Sequence, residues 1–262
     1  MKLFSQKSLL ALFVLLTGAA MFFSCKHKDE VAPPVVITPI ITHGTDKFLP
    51  GKMTAGNANE WKLDKVHSNC MWSTNYMGAA GLLTGRFNQF GMHDVQPAEM
   101  IKYTTAAQPL MDTSWAFYED KPELSYINGY VQINTSNTGE PGRDKGCNIS
   151  GMGTVPIDSG KMNLEVNNLA KIKSTKIEFD KASNDYIVTF NLTWQGKLSA
   201  PLTKSYVGRL KFIKRSTIAG TAPYDVFGLQ LKFSFNCRDY GIVSTSIADN
   251  IDIECNMNFN NK

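Results

Sequence analysis

Residues that hold metals or carry catalysis are scarce in this chain of 262 residues. It has only four histidines, and two of them, His27 and His43, lie in a proline-containing stretch near the N-terminus. The five cysteines form no C-x-x-C pair, and the formal net charge of +4 gives no basic footprint for nucleic acid. We therefore expect no metal site, no other cofactor and no nucleic-acid partner.

Long apolar runs are also missing, apart from one at the N-terminus. Lys2 and Lys7 precede an apolar stretch from Leu9 to Phe23, which is the layout of a signal peptide and is too short for a spanning helix. The Ser24-Cys25 step resembles a bacterial lipobox, in which the cysteine is acylated and becomes the first mature residue. The alternative is an ordinary leader cut at Ala19–Ala20.

The segment after the cysteine predicts a tether. Prolines recur through residues 25–58 without a periodicity that could be buried, so we expect an extended linker that carries an acylated Cys25. Removal of the two leader lysines leaves a charge of +4 − 2 = +2. These features predict a lipid-anchored protein of the bacterial outer membrane. The Lys28-Asp29-Glu30 triplet resembles a surface-export signal or is simply a solvated start to the linker, so either membrane face stays open.

The remaining residues, 59–262, form one domain whose signal is strand alternation. Apolar residues fall on one parity along 227–237, 186–194, 251–259 and 70–76, as in half-buried strands. Shorter candidates lie around 82–90, 126–134, 172–180 and 203–213. Helical signal is poor, and only Pro97–Met100 and residues 142–150 predict short helices.

About eight long strands in some 200 residues predict an all-β barrel or sandwich. We favour a barrel with one or two short helices, because many strands are long and closure removes exposed strand edges.

A set of ordered motifs resembles the YceI-like polyisoprenoid-binding family over roughly residues 60–260. The motifs are Trp61-x-Leu63-Asp64-x-x-His67-Ser68, Leu83-x-Gly85-x-Phe87-x-x-Phe90, Asn134-x-Ser136-x-Thr138-Gly139 with Pro141-x-Arg143-Asp144, Tyr186-x-Val188-x-Phe190-x-Leu192-Thr193-x-x-Gly196, and Asp239-Tyr240-Gly241. The resemblance implies a lipocalin-like, closed antiparallel barrel of eight strands that holds the tail of an amphiphile, often a polyisoprenoid, in its core.

Large apolar side chains on one strand parity are the candidate ligand contacts. They fill the barrel solidly or line a tube with room for one ligand, and eight strands lie near the boundary between the two. Arg143 is a further candidate, as a phosphate-binding group at one opening or as a residue that pins its loop together with Asp144. The predicted contacts are Trp72, Tyr76, Phe87, Phe190, Leu192, Trp194, Phe227, Leu231, Phe233, Phe235 and Arg143.

Cysteines on the apolar parity raise a disulfide question. Strands one and eight of a closed barrel are neighbours, as are the last two strands, so Cys255 is able to meet Cys70 or Cys237. We favour a Cys237–Cys255 bridge across the final hairpin, with free buried thiols as the alternative. With Cys147, the domain has four cysteines, and their count alone does not choose among the three possible connectivities.

Catalysis is not expected. Asp64, His67 and Ser68 look like parts of a triad, but neighbours on a strand point to opposite faces, so a structural role at the barrel end is favoured.

The preferred hypothesis is non-catalytic binding or transport of a polyisoprenoid or another long-chain amphiphile. The alternative is a surface lipoprotein with a filled barrel, whose long 91–125 segment binds a protein or envelope partner through Trp115, Phe117 and Tyr118. An enzyme acting on an isoprenoid-like substrate ranks last, and a homodimer stays open.

Overall fold

In a computed structural model of the chain, the segments with alternating apolar and polar residues form long strands. The structure describes residues 44–51, 60–76, 81–92, 115–146 and 168–262, all within one compact unit, Thr42–Lys262. The predictions for the leader, for Cys25, for most of the tether, for the Pro97–Met100 helix and for Cys147 lie outside these residues. No helix among the described residues has the length and apolar character needed to cross a membrane.

Thirteen strands and one short α-helix, α1 (Pro141–Gly146), are described, together with short 3-10 turns at Lys65–His67, Pro122–Leu124, Ile133–Thr135 and Cys237–Tyr240. The strands in chain order are β1 (Lys47–Pro50), β2 (Glu60–Leu63), β3 (Asn69–Tyr76), β4 (Gly81–Phe87), β5 (Phe90–Gly91), β6 (Trp115–Tyr118), β7 (Tyr126–Gln132), β8 (Ser136–Asn137), β9 (Leu169–Asp180), β10 (Asp185–Trp194), β11 (Leu202–Ile218), β12 (Tyr224–Asn236) and β13 (Asn250–Asn260). The predicted all-β class is therefore confirmed.

The strands close into a ring of eight segments. β9, β10, β11, β12 and β13 form successive antiparallel hairpins, and β13 pairs with β3, which pairs with β4. β4 with β5 and β7 with β8 each act as one interrupted strand, and β7 returns to β9. The predicted eight-stranded barrel is present.

Closure of the ring is uneven. The hairpin of β12 and β13 pairs along almost its whole length, from Val226 with Asn260 to Asn236 with Asn250. Between the β4–β5 and β7–β8 segments, the ladder consists of Arg86–Phe87 against Ser136–Asn137 and Phe90–Gly91 against Tyr130–Val131. Between these two parts, the Asn88 N–H donates to the Thr135 carbonyl and the Gln132 N–H donates to the Gln89 carbonyl. We call this short ladder the seam.

At one end of the barrel, a second series of paired strands connects β13 to β7 without passing through the seam. β2 pairs with the end of β13 and, in parallel, with β1; β1 pairs with β6, and β6 pairs with β7. Among the described strands, β1 with β2 is the one parallel pair, where the prediction was purely antiparallel. β1 lies inside the predicted tether, so this part of the tether is a strand of the barrel and not an extended linker. Phe48 is completely buried and holds the strand in place.

Candidate functional site

An apolar cavity lies in the barrel interior, against the seam. Its volume is about 70 Å³, and its wall is contributed by β3, β4, β5, β7, β9, β10, β12 and β13. Among the described residues the wall contains no Asp, Glu, Lys, Arg or His side chain. The lining residues are Cys70, Phe87, Phe90, Gly91, Met92, Gly129, Tyr130, Val131, Ile133, Ala170, Ile172, Leu192, Trp194, Leu231, Phe233, Phe235, Ile253, Cys255 and Met257.

Inward parity places six of the eleven predicted ligand contacts in this wall. β10 and β12 present their apolar residues to the inside, as the burial pattern of β10 shows by strict alternation of half-buried and buried residues. The six are Phe87, Leu192, Trp194, Leu231, Phe233 and Phe235.

Two predicted contacts are buried but lie outside the lining. Trp72 is 1% exposed and donates a hydrogen bond from Nε1 to Ser136 Oγ at 2.8 Å. Its ring covers Gly85, where a Cβ atom would lie 2.6 Å from ring atoms. Phe190 packs edge-on against Phe233, with ring centroids 4.8 Å apart. Both side chains therefore support the wall from one layer away.

Phe227 belongs to a different part of the barrel. Its ring stacks on Phe259 with centroids 4.6 Å apart and lies 3.8 Å from Phe48 and 4.9 Å from Trp61. Trp115 packs on the same group, at 4.6 Å from Phe259. We call these five residues, with Phe117 and Phe212, the aromatic end.

The aromatic end also corrects a prediction about the 91–125 segment. Trp115 and Phe117 were expected to be exposed partner-binding residues, but both are 0% exposed because β6 is inserted into the barrel between β1 and β7. Tyr118 is half-buried. Phe227 was expected to line the ligand cavity, but its side chain packs within the aromatic end and does not line the cavity.

The last two predicted contacts lie away from the cavity wall. Tyr76 is 45% exposed at the end of β3. Arg143 is half-buried on α1, and its backbone N–H donates to the carboxylate of Glu140. The neighbouring Asp144 accepts hydrogen bonds from the backbone N–H and hydroxyl of Thr138, at 2.9 and 2.8 Å. The Asp144 and Glu140 carboxylates thus tie the loop after β8.

The cysteines pair differently from the favoured prediction. Cys255 lies directly opposite Cys70 on β3, with their Sγ atoms 2.9 Å apart. Cys237 lies beyond the end of β12, where its thiol contacts the carbonyl oxygen of Ala248 at 3.7 Å. A Cys237–Cys255 bridge does not fit, because Leu231 and not Cys237 faces Cys255 across the β12–β13 hairpin.

The Asp64, His67 and Ser68 motif forms a corner between β2 and β3. His67 is in a 3-10 turn rather than on a strand, and its Nδ1 lies 2.8 Å from Asp64 Oδ2. Ser68 Oγ donates to the Asp64 carbonyl and accepts from the Asn258 N–H, at 2.6 and 2.8 Å. Burial alone would raise the pKa of Asp64, but hydrogen bonds from His67 and Asn260 outweigh it and lower the pKa.

That corner holds no activated nucleophile, because the Ser68 hydroxyl is directed at backbone groups instead of at His67. Across the described ranges, no three His, Cys, Asp or Glu side chains converge as metal binding would require. The corner ties the connection between β2 and β3 to β13, which is a structural role.

Thirteen lining residues escaped the sequence analysis as ligand contacts. Four of them, Cys70, Ile253, Cys255 and Met257, lie on the recognised apolar parity of β3 and β13, so the alternation was sufficient to find them. The others lie at the start of β9, on the interrupted β5 and β7 segments, or just beyond strand ends: Phe90, Gly91, Met92, Gly129, Tyr130, Val131, Ile133, Ala170 and Ile172.

A family model described as the YceI-like domain matches residues 61–259, three quarters of the chain, so this protein belongs to the YceI-like family. Solved structures with a similar fold include a polyisoprenoid binding domain from Saccharophagus degradans implicated in plant cell wall breakdown. It is 13% identical, with 76% of this chain and 97% of that chain covered and a TM-score of 0.38.

A Campylobacter jejuni YCEI protein is 16% identical, with 78% and 98% covered and a TM-score of 0.42. The search of curated proteins gave no match.

Proposed function

We propose that this protein binds the hydrocarbon tail of a long-chain amphiphile, of the polyisoprenoid class, without turning it over. The observation that carries this proposal is the apolar wall of the cavity, in a chain that belongs to the YceI-like family. Ten buried methylene-sized groups gain about 8 kcal/mol at about 0.8 kcal/mol each, before the costs of association. Tight binding therefore needs no polar contact in the wall.

The volume of the cavity sets a condition on this proposal. A dry apolar cavity of about 150 Å³ holds benzene, so a cavity of about 70 Å³ is too small for a tail of several isoprene units. Binding therefore requires the wall to widen. Met92 and Met257 are unbranched and flexible, and Phe233 is only half-buried, so these side chains are able to move without a new backbone conformation.

The seam is where widening costs least. Phe87, Phe90, Gly91, Tyr130 and Val131 belong to the seam and also line the cavity. Each part of this ladder involves two residues per strand, with two backbone hydrogen bonds between the parts, whereas β12 and β13 pair over almost their whole lengths. A tail that enters beside the seam therefore disrupts fewer backbone hydrogen bonds than one that separates β12 from β13.

Anchoring completes the proposal. We infer that acylated Cys25 holds the barrel at the bacterial outer membrane, where amphiphiles with long tails are available. The apolar wall suits a protein that carries or stores such a lipid. An enzyme would need a reactive group at the cavity, and the Asp64–His67 corner directs no nucleophile toward it.

The filled-barrel alternative is favoured by one observation, the small cavity volume. A barrel whose core is already occupied by side chains would act through surface loops on a protein or envelope partner. Burial of Trp115 and Phe117 removes two of the apolar groups expected to form that surface. We therefore rank this alternative second.

The test compares non-covalent lipid in the wild-type full chain and in Ala170→Leu. Ala170 lines the cavity, and three added carbon atoms occupy most of its free space while they keep the wall apolar. Ala182→Leu is the matched control, because Ala182 is exposed in the turn between β9 and β10. Organic extraction removes only non-covalent lipid, so acyl chains on Cys25 stay with the protein.

Wild type and the Ala182 variant should yield about one long-chain lipid per protein, and Ala170→Leu should yield at least about fivefold less with a similar melting temperature. Equal lipid content in all three proteins would show that the lipid is bound elsewhere. A wild-type protein that stays lipid-free after incubation with polyprenyl lipids would support the filled barrel.

A further inference from the structure

Two thiols meet in the cavity wall. Cys70 on β3 and Cys255 on β13 are directly opposite each other, their Sγ atoms lie 2.9 Å apart, and both side chains line the cavity. Residues opposite each other on antiparallel strands have Cβ atoms about 4.5–5.5 Å apart, close to the separation of about 3.5–4.5 Å that a disulfide needs. Only a small adjustment therefore separates the thiol pair from a bond.

Access to the two thiols is asymmetric. Cys70 is 1% exposed, whereas Cys255 is only partly buried, so Cys255 is the thiol that a reagent reaches first. The hydrogen bond with Cys255, together with burial, raises the pKa of Cys70, so Cys70 remains protonated at neutral pH. This arrangement assigns Cys255 as the attacking thiol and Cys70 as the resolving thiol.

We propose that Cys70 and Cys255 form a reversible disulfide that cross-links the first and last long strands of the barrel inside the cavity wall. The oxidant is a disulfide compound. The Cys255 thiolate attacks one of its sulfurs and expels one thiolate. Cys70 Sγ then attacks the mixed disulfide at Cys255, releases the second thiolate and closes the intramolecular bond. The two thiolates take up the two protons that the cysteines lose.

This inference goes beyond the proposed function and does not depend on what occupies the cavity. Cys237 supplies the internal contrast, because its thiol is buried against the Ala248 carbonyl, and the free cysteines described by the structure place no second thiol beside it.

The experiment uses the full chain with Cys25→Ser, Cys147→Ser and Cys237→Ser, reduced and then incubated with oxidised glutathione. Intact mass should show the loss of two hydrogen atoms without a lasting glutathione adduct, and peptide mapping should join the peptides that contain residues 70 and 255. Removal of the resolving thiol by a further Cys70→Ser change should leave a stable glutathione adduct on Cys255. A further Cys255→Ser change should leave Cys70 unmodified in the folded protein.

Three results would overturn the proposal: an adduct that persists on Cys255 while Cys70 is present, cross-linked dimers in place of an internal bond, or no reaction in folded protein that reacts once denatured. Because the readout is the mass of the protein itself, the outcome stands whether or not a lipid is found in the cavity.

Discussion

Replacement of Phe227 by Leu tests whether the aromatic end and the ligand cavity are separate parts of the barrel interior. The ring of Phe227 stacks on Phe259 at 4.6 Å and lies 3.8 Å from Phe48, so both contacts are lost. Each such pair contributes about 0.5–1.5 kcal/mol beyond its buried area. A hydrophobic replacement of similar volume costs about 1 kcal/mol more. We expect a total loss of about 3 kcal/mol in the free energy of unfolding.

That loss corresponds to a decrease of about 6–12 °C in melting temperature for a domain of this size. Phe235→Leu is the matched comparison on the same strand and parity. Its ring contacts Trp194 and Tyr240 edge-on at the longer centroid distances of 6.3 and 5.8 Å, and it lines the cavity. We expect it to lower the melting temperature less and to change the amount of lipid retained.

The assay measures thermal unfolding and lipid content on the same preparations. Lipid is extracted from protein kept well below both melting temperatures, so that it is folded when its lipid content is determined. Phe227→Leu should keep the wild-type lipid content, because its ring does not reach the cavity. Loss of lipid from Phe227→Leu without loss of stability would mean that the aromatic end is part of the binding site, and our division of the barrel would be wrong.

Two further predictions concern the corner and the anchor. The lowered pKa of Asp64 means that its carboxylate stabilises the fold above its ordinary pKa of 3.8, and this contribution disappears as pH falls through the lowered value. Asp64→Asn should therefore cost about 1 kcal/mol at pH 7 and flatten the acid limb of a plot of unfolding free energy against pH; an unchanged limb would contradict this role. For the anchor, the full chain made in a bacterium that processes lipoproteins should enter the detergent phase and yield an acylated N-terminal peptide at Cys25, and Cys25→Ser should abolish both properties. An unmodified N-terminus just after Ala19 would instead indicate an ordinary leader.

Strand alternation made the barrel predictable from the sequence. Burial on one face and exposure on the other imposes a period of two, which β10 displays over its whole length and which the sequence of β12 displays from Phe227 to Phe235. All eight predicted strand regions are strands in the structure. Asn184 adopts a positive φ of 59° in the turn between β9 and β10.

Short pieces of chain escaped the sequence analysis because their burial is decided by distant partners. β1 has four residues, and Phe48 is the one aromatic residue of the predicted tether; its burial depends on Trp61, Phe227 and Phe117, which a local pattern does not reveal. The lining residues of β5 and of the turn after β7 escaped for the same reason. Parity shows that a side chain points inward, but it does not distinguish the cavity from the aromatic end.

The division of the interior explains how one barrel combines stability with an adaptable site. At the aromatic end, β1 and β6 add two strands and close-packed rings, so this region is expected to resist opening. Beside the cavity, the ring depends on the seam, with its two short ladders, and on packing such as that of Trp72 over Gly85. Because the seam contributes lining residues to the cavity, we expect local opening of the seam to widen the cavity. Under the proposed function, stability supplied by the aromatic end would allow the seam to loosen around a tail without unfolding of the barrel.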